Sequence, residues 1–182
     1  MTDVILGLGS NKTWKDKSCE IILKMAFDKL SLLLSGITAS SVYRTKPMYY
    51  TEQGDFFNLV VRGKIDSSLP PQDLLFKIHK IEESLGRDRT KEIRNGPRSI
   101  DIDIEFFGNT AVVTKDLQIP HPRIFERAFV LIPMLEILNE SADFISRDVF
   151  VHYVNEKGSQ GVEKYLSAQE FLNLKAQYGT GS

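Results

Sequence analysis

The chain has 182 residues, 42% hydrophobic and 26% charged, a composition that excludes wholesale disorder, collagen and disulfide scaffolds. Lys and Arg number 23 against 24 Asp and Glu, a net charge of -1, so no global field draws nucleic acid or an anionic membrane, and affinity for phosphate has to be built locally. The one cysteine, Cys19, has no internal partner, and the N-terminus carries neither a basic leader nor a long apolar run, so a cytoplasmic protein without a membrane span is expected. Residues 1–160 are expected to form one domain, with 161–182 as a C-terminal extension or tail.

Val4-Ile5-Leu6-Gly7-Leu8, closed by Gly9-Ser10-Asn11, reads as a buried strand and a turn. Cys19, Ile22, Leu23, Ala26, Phe27, Leu30, Leu33 and Leu34 fall three and four apart, which predicts a helix within 17–34, ended at Gly36. Residues 37–44 read as a strand, 45–54 with Pro47 and Gly54 as a loop, and 56–61 as the next strand. Pro70 and Pro71 open a second helix with Leu74, Ile78, Ile81 and Leu85 as its core stripe. A charged loop then runs from Gly86 to Gly96-Pro97, and 100–107 is a strand turned by Gly108-Asn109. A short strand and loop fill 111–122, a helix spans 127–138, and the last residues, 178–182, are expected to fray. Strand, helix, strand, strand, helix, strand is the order of the ferredoxin-like βαββαβ arrangement, an α+β fold with an antiparallel sheet and helices packed on one face, here expected with C-terminal additions.

The strand Ile100-Asp101-Ile102-Asp103-Ile104-Glu105-Phe106 alternates. Its apolar residues are expected to face the core, with Asp101, Asp103 and Glu105 about 7 Å apart on the other face. Such carboxylates repel unless a cation lies between them, and a hard divalent ion that keeps phosphate and water ligands suits them. A half-buried edge strand with solvated acids shows the same alternation. The preceding loop adds Arg87, Arg89, Lys91, Arg94 and Arg98 against Asp88 and Glu92. Guanidiniums grip phosphate oxygens in a planar fork, so acids and arginines together suit a metal-bound polyphosphate. Glu82 falls on the inner stripe of the second helix, where a carboxylate has to be paired or reach water at the helix edge. His121 is aimed by Pro120 and Pro122 and lies near Arg123 and Arg127. His79 and His152 have no such setting. One cysteine and three scattered histidines exclude a zinc site, and no phosphate loop or dinucleotide motif is present.

With these residues together, the chain resembles the 6-hydroxymethyl-7,8-dihydropterin pyrophosphokinases of folate synthesis. The resemblance rests on Leu8-Gly9-Ser10-Asn11, Ser41-Val42-Tyr43-Arg44-Thr45 with Pro47, Phe57-Asn58, Glu82, Gly86-Arg87, and Gly96-Pro97-Arg98-Ser99-Ile100-Asp101-Ile102-Asp103-Ile104. Pro120-His121-Pro122-Arg123 and Glu126-Arg127-Ala128-Phe129-Val130-Leu131 complete it, over roughly three quarters of the chain. The nine-residue block from Gly96 to Ile104 is the most specific.

The resemblance implies transfer of diphosphate from ATP to a pterin hydroxymethyl group, with AMP leaving. It implies two Mg²⁺ ions on Asp101 and Asp103, and ATP contacts from Arg87, Arg94, Arg98, His121 and Arg127. Arg87, Arg98, Asp101 and Asp103 would carry the catalysis. Phe56 and Phe129 would sandwich the pterin, while Asn58, Thr45, Pro47 and Met48 would read its edge. Glu82 matches a family acid without an assigned role. Phe56 stands where some members have tyrosine, Asn95 where some have an aromatic residue, and the loop 87–98 runs one residue longer than in some. The loops 45–54 and 87–98 are expected to close over ATP. Fusion to another folate-pathway enzyme is left open. The alternatives are a nucleic-acid-binding module on a ferredoxin-like sheet, another metal-dependent nucleotidyl transferase, and an inactive relative; a net charge of -1 and the absence of an aromatic-rich strand count against the first.

Overall fold

A computed structural model describes residues 1–47, 52–91, 93, 96–138 and 145–176. β1 (Thr2–Ser10), β2 (Ser35–Ala39), β3 (Val42–Thr45), β4 (Phe56–Ile65), β5 (Asp101–Phe107) and β8 (Glu163–Leu166) form one sheet. Its order is β5-β1-β4-β3-β8, with β2 also paired to β4, and every pairing is antiparallel. β6 (Val112–Val113) and β7 (Gln118–Ile119) make a separate small hairpin.

α1 (Cys19–Leu30) and α2 (Pro71–Ser84) cover one face of the sheet. Ile22, Leu23, Ala26 and Leu30 from α1 and Leu74, Ile78 and Ile81 from α2 meet Leu6, Leu8, Leu59, Val61, Ile102 and Ile104 in the main core. Closing a Leu or Ile side chain off from water contributes roughly 1.5–3 kcal/mol, which is what holds the two helices down. The other face carries α3 (Ala128–Ile137) and α4 (Arg147–Lys157). Val130, Leu131 and Met134 pack there on Ile5, Val60 and Phe106, and Phe150 of α4 closes this second core.

The antiparallel sheet with helices is as expected; α1 and α2 share one face, and the additions that follow β5 reach the other. α3 and α4 fold onto the second face, while β2 and β8 keep mostly exposed residues. Residues 163–172 extend the fold rather than trail from it: β8 pairs with β3, and α5 (Ala168–Leu172) buries Phe171 in the main core. The expected frayed residues 178–182 lie outside the described residues.

Three smaller expectations change. The strand over 37–44 splits into β2 and β3, because Ser40 and Ser41 satisfy the backbone with other partners. Val60 N donates to Ser40 Oγ at 3.0 Å, and Ser41 N donates to Glu136 Oε2 at 2.6 Å. Gly36 does not end the helix; α1 stops at Leu30, and Gly36, at φ +58, is the second residue of β2. Finally, β5 does not alternate to its end. The pairing with β1 shifts between Ile5 and Leu6, so Phe106 pairs with Ile5 and Ile104 with Leu6, leaving Glu105 as the extra residue of a bulge. Phe106 therefore joins the second core and Phe107 the first.

Candidate active site

β1 runs between β4 and β5, and its register sets the floor of a site on the α3 face. Gly7 and Gly9 lie opposite Asp103 and Asp101 on β5, and opposite Val60 and Asn58 on β4. A Cβ on Gly9 would lie 3.0 Å from Asn58 Oδ1, and one on Gly7 would lie 2.7 Å from Glu105 Oε1. Glycine at these alternate positions keeps the space above the strand open. The space is a cavity of about 330 Å³.

Thr45, Phe56, Asn58, Arg87, Arg98, Asp101, Asp103, His121, Arg127 and Phe129 all line this cavity, although they come from six separate stretches of chain. Pro47 is not among its lining residues, although its neighbour Lys46 is. Met48 and Arg94, expected as pterin and ATP contacts, lie outside the described residues, as does Asn95. Gln53, Lys46, Gly7 and Glu105 join the lining without having been assigned to it from sequence. For Gly7, the available signal was glycine at every second position of a strand.

At one end, the acids and arginines form a closed network. Glu82, from α2, is 1% exposed. Arg87 Nη1 donates to its Oε1 at 2.5 Å, Arg89 Nη2 donates to its Oε2 at 2.6 Å, and Ile102 N donates to Oε1 at 2.8 Å. Among the described residues β5 pairs in the sheet with β1 alone, so Glu82 supplies an acceptor to the outward N–H of Ile102 at the sheet edge. Burial raises the pKa of Glu82, and the guanidiniums of Arg87 and Arg89 oppose the rise. The Arg87 guanidinium also donates to Asp101, and Arg98 Nη1 donates to Asp101 Oδ2 at 2.6 Å. Burial works to raise the Asp101 pKa, but the charges of Arg87 and Arg98 outweigh it and hold the carboxyl below its ordinary value.

The other end is less balanced. Arg127 Nη1 donates to Asp103 Oδ2 at 3.1 Å, and His121 Nε2 lies 3.9 Å from the same oxygen. Burial, then the charge of Asp101, pushes the Asp103 pKa up. Glu105 is fully buried, and neither carboxylate oxygen has a hydrogen-bond partner among the described residues. Desolvation and the charge of Asp103 raise its pKa well above the ordinary value. Burial, then the charges of Arg127 and Arg123, lowers the His121 pKa to about 4, so its imidazole is neutral near neutral pH. Arg123 N donates to His121 Nδ1 at 3.2 Å. That bond puts the single ring proton on Nε2, the nitrogen facing Asp103.

On the wall away from the acids, Thr45 and Phe56 are paired across β3 and β4, and Asn58 Nδ2 donates to Thr45 Oγ1 at 2.9 Å. Phe129 stands at the start of α3, its ring centroid 5.6 Å from the Arg127 guanidinium carbon. Asn11 ties this wall to the arginine loop. Its Oδ1 accepts from Arg98 N at 2.9 Å, and its Nδ2 donates to Gln53 Oε1 at 2.8 Å. From sequence, Asn11 belongs to a turn and to the family-like stretch Leu8-Gly9-Ser10-Asn11, with no role assigned to its side chain.

Asp101 and Asp103 offer hard oxygen donors side by side in the cavity, and their present partners are cations, so the pair has the charge to take a divalent cation. Among the described residues no cluster of three or more His, Cys, Asp or Glu is arranged to hold a metal. Two adjacent carboxylates are donors of the kind that suits a hard divalent ion able to keep phosphate and water ligands.

Residues 5–139 match the model of the 7,8-dihydro-6-hydroxymethylpterin-pyrophosphokinase (HPPK) family. The chain is 45% identical over 137 residues to the 2-amino-4-hydroxy-6-hydroxymethyldihydropteridine pyrophosphokinase of Bacillus subtilis (strain 168), covering 75% of this chain and 77% of that one. It is 42% identical over 135 residues to the folic acid synthesis protein fol1 of Pneumocystis carinii, covering 74% of this chain and only 17% of that protein. The crystal structure of Plasmodium falciparum HPPK-DHPS A437G with SDX-DHP is similar with a TM-score of 0.64 at 16% identity, over 90% of this chain and 48% of that one. At that identity the likeness concerns the fold alone. The chain thus spans most of the Bacillus relative, about half of the Plasmodium one and under a fifth of the fungal one.

Proposed function

The chain belongs to the 7,8-dihydro-6-hydroxymethylpterin-pyrophosphokinase family, and we propose that it transfers the diphosphate of ATP to the hydroxymethyl oxygen of 6-hydroxymethyl-7,8-dihydropterin in folate biosynthesis. The observation that carries this reading is one cavity with two unlike walls. Asp101 and Asp103 stand among Arg87, Arg98 and Arg127 on one side, and Phe56, Asn58 and Thr45 stand on the other.

In the reaction the hydroxymethyl oxygen bonds to the β-phosphorus. The bond from that phosphorus to the oxygen bridging it to the α-phosphate breaks, AMP leaves with that oxygen, and the hydroxyl proton is released. Such a transfer asks the protein for positioning and charge neutralisation rather than for a nucleophile. Arg87, Arg98 and Arg127, with Arg94, hold phosphate oxygens. His121, neutral and protonated on Nε2, donates one hydrogen bond. Two Mg²⁺ ions held by Asp101 and Asp103 would supply further neutralisation of the phosphate charge. Phe56 and Phe129 present flat apolar surfaces for the pterin ring. Asn58, held against Thr45, reads its donor and acceptor edge. Arg87 and Arg98 both donate to Asp101, and these three with Asp103 would carry the catalysis.

The strand order β5-β1-β4 with β2 and β3 beyond it supports reading residues 2–107 as a ferredoxin-like βαββαβ unit whose second strand is split in two. The buried free thiol of Cys19 is in keeping with a reducing compartment such as the cytoplasm, and among the described residues no helix is long and apolar enough to cross a membrane. Relatives named as bifunctional folate synthesis proteins make association with another enzyme of the same pathway a natural arrangement. A nucleic-acid-binding reading is not favoured, because the residues that would face a strand on this sheet are the acids of β5.

The test is AMP formation from Mg-ATP with and without 6-hydroxymethyl-7,8-dihydropterin, for the wild type and Asp101→Ala. AMP is expected only with the pterin, and the variant is expected to lose about a thousandfold or more in rate, the scale of removing transition-state charge stabilisation. AMP without pterin, or an undiminished variant, would overturn the reading.

A further inference from the structure

α3 begins with the wrong residue for a helix start. Its N-cap is Arg127, whose side chain makes no capping hydrogen bond and reaches instead to Asp103. A helix start favours Ser, Thr, Asp or Asn, because a side-chain oxygen there accepts from an exposed backbone N–H. A guanidinium has no acceptor to offer. The missing acceptor arrives from 32 residues further along: Ala128 N donates to Gln160 Oε1 at 3.2 Å, and Gln160 Nε2 donates to Glu126 O at 3.4 Å. One carboxamide therefore grips the peptide groups on both sides of Arg127.

Gln160 has a backbone conformation that a residue with a side chain adopts at a cost. Its φ is +51, between Gly158 at +69 and Gly161 at +73. Glycine would sit there without strain, so the side chain has to contribute something that glycine cannot. Gln160 lies beyond residues 5–139, the stretch matched by the family model. It leads directly into β8, which pairs Tyr43 with Lys164 and Arg44 with Glu163 on the strand that ends at Thr45. The same short segment thus holds the chain next to Arg127 on one wall and next to Thr45 on the other.

We infer that Gln160 is a positioning residue, holding Arg127 and Phe129 in place from outside the family-matched part of the chain. The inference rests on the proposed function, in which Arg127 meets phosphate oxygens and Phe129 meets the pterin ring. A local rule is broken at Arg127 for the sake of the site, and Gln160 compensates for it from a distance.

Two variants of the full chain separate this role from a general structural one. Gln160→Gly removes the side chain and relieves the backbone, so its unfolding midpoint stays close to that of the wild type. Gln160→Glu keeps the acceptor for Ala128 N. Amide exchange over 126–131 is expected to be about fivefold faster in Gln160→Gly, the effect of losing a typical cap. Its affinity for a non-hydrolysable ATP analogue with Mg²⁺ and its KM for the pterin are expected to weaken by a similar factor. Gln160→Glu is expected to restore most of each. Exchange unchanged in Gln160→Gly overturns the inference whatever the binding results, and so do affinity and KM unchanged beside faster exchange. Faster exchange in a protein whose wild type binds neither the analogue nor the pterin overturns the functional reading instead.

Discussion

Glu82 and Glu105 are both closed off from solvent, at opposite ends of the acid row on β5, at 1% and 0% exposure. Glu82 accepts from two arginines and a backbone N–H, whereas Glu105 accepts from nothing among the described residues. The contrast separates two reasons for burying a carboxylate. At the Glu82 end, the acid organises cations: Arg87 is fixed between Glu82 and Asp101, and the edge of β5 is capped. At the Glu105 end, the bulge residue lies against Gly7 with no hydrogen-bond partner among the described residues, and burial holds its pKa well above the ordinary value. The first arrangement stabilises the fold, and the second costs stability.

The largest expected effect breaks the compensated end. Glu82→Ala removes the acceptor of Ile102 N and one of the two carboxylates around Arg87, itself only 7% exposed. Removing one partner of a buried ion pair costs about 3–5 kcal/mol, measurable as a lower midpoint of urea unfolding. Glu82→Gln, which keeps an oxygen for Ile102 N, is expected to cost less than half of that. Equal losses in the two variants would show that the charge contributes little.

At the other end the sign reverses. Glu105→Met replaces an unpartnered carboxyl with an unbranched apolar chain of similar length, and a gain of about 1–3 kcal/mol is expected. For a chain of this size that corresponds to a melting midpoint higher by about 2–4 °C per kcal/mol. Destabilisation would show that Glu105 is compensated in solution and that the contrast with Glu82 is false.

Much of this was legible locally. Period-two acids at Asp101 and Asp103, the arginine loop and the helical stripes of α1 and α2 are patterns within single segments, and the motif resemblance followed from them. What escaped is non-local. The bulge at Glu105 arises from pairing with Ile5 and Leu6, and the break at Ser40-Ser41 depends on Glu136, some 95 residues away. α4 packs Phe150, Tyr153 and Val154, three and four apart, on the second core, but Val149 and Val151 stand off that stripe and blur its periodic signature. Gly7 looked like part of a turn-bound apolar run until the register placed it under Glu105.

That placement gives the next, smaller effect. Gly7→Ala would set a Cβ 2.7 Å from Glu105 Oε1, and forcing a well-packed site to shift costs about 1–3 kcal/mol. If the clash is with the carboxylate alone, the cost in a Glu105→Ala background should shrink by about 1 kcal/mol or more, a coupling that a double-mutant cycle reads directly. Additive costs would place the obstruction in the backbone of the sheet rather than in the acid.

Glu136 extends the comparison to an acid that is bonded but not sealed. It accepts from Ser41 N at 2.6 Å, Tyr43 Oη at 2.7 Å and Lys164 Nζ at 2.6 Å, and its side chain remains 28% exposed. Burial works to raise its pKa, but the bonds from Lys164, Ser41 and Tyr43 outweigh it and hold the carboxyl below its ordinary 4.5. A carboxyl depressed in the folded state contributes stability that is present above its unfolded pKa and is lost as pH falls through the folded value. Glu136→Gln is therefore expected to lower stability by about 0.5–1.5 kcal/mol near neutral pH, and the gap to the wild type should close in acid, below 4.5 and toward the folded pKa. Urea unfolding of both proteins across that range measures it. A gap that persists undiminished in acid would mean that the shape of the hydrogen-bonding group, rather than its charge, ties α3 to β3 and β8, and the ordering of the three glutamates by charge compensation would fail at its weakest member.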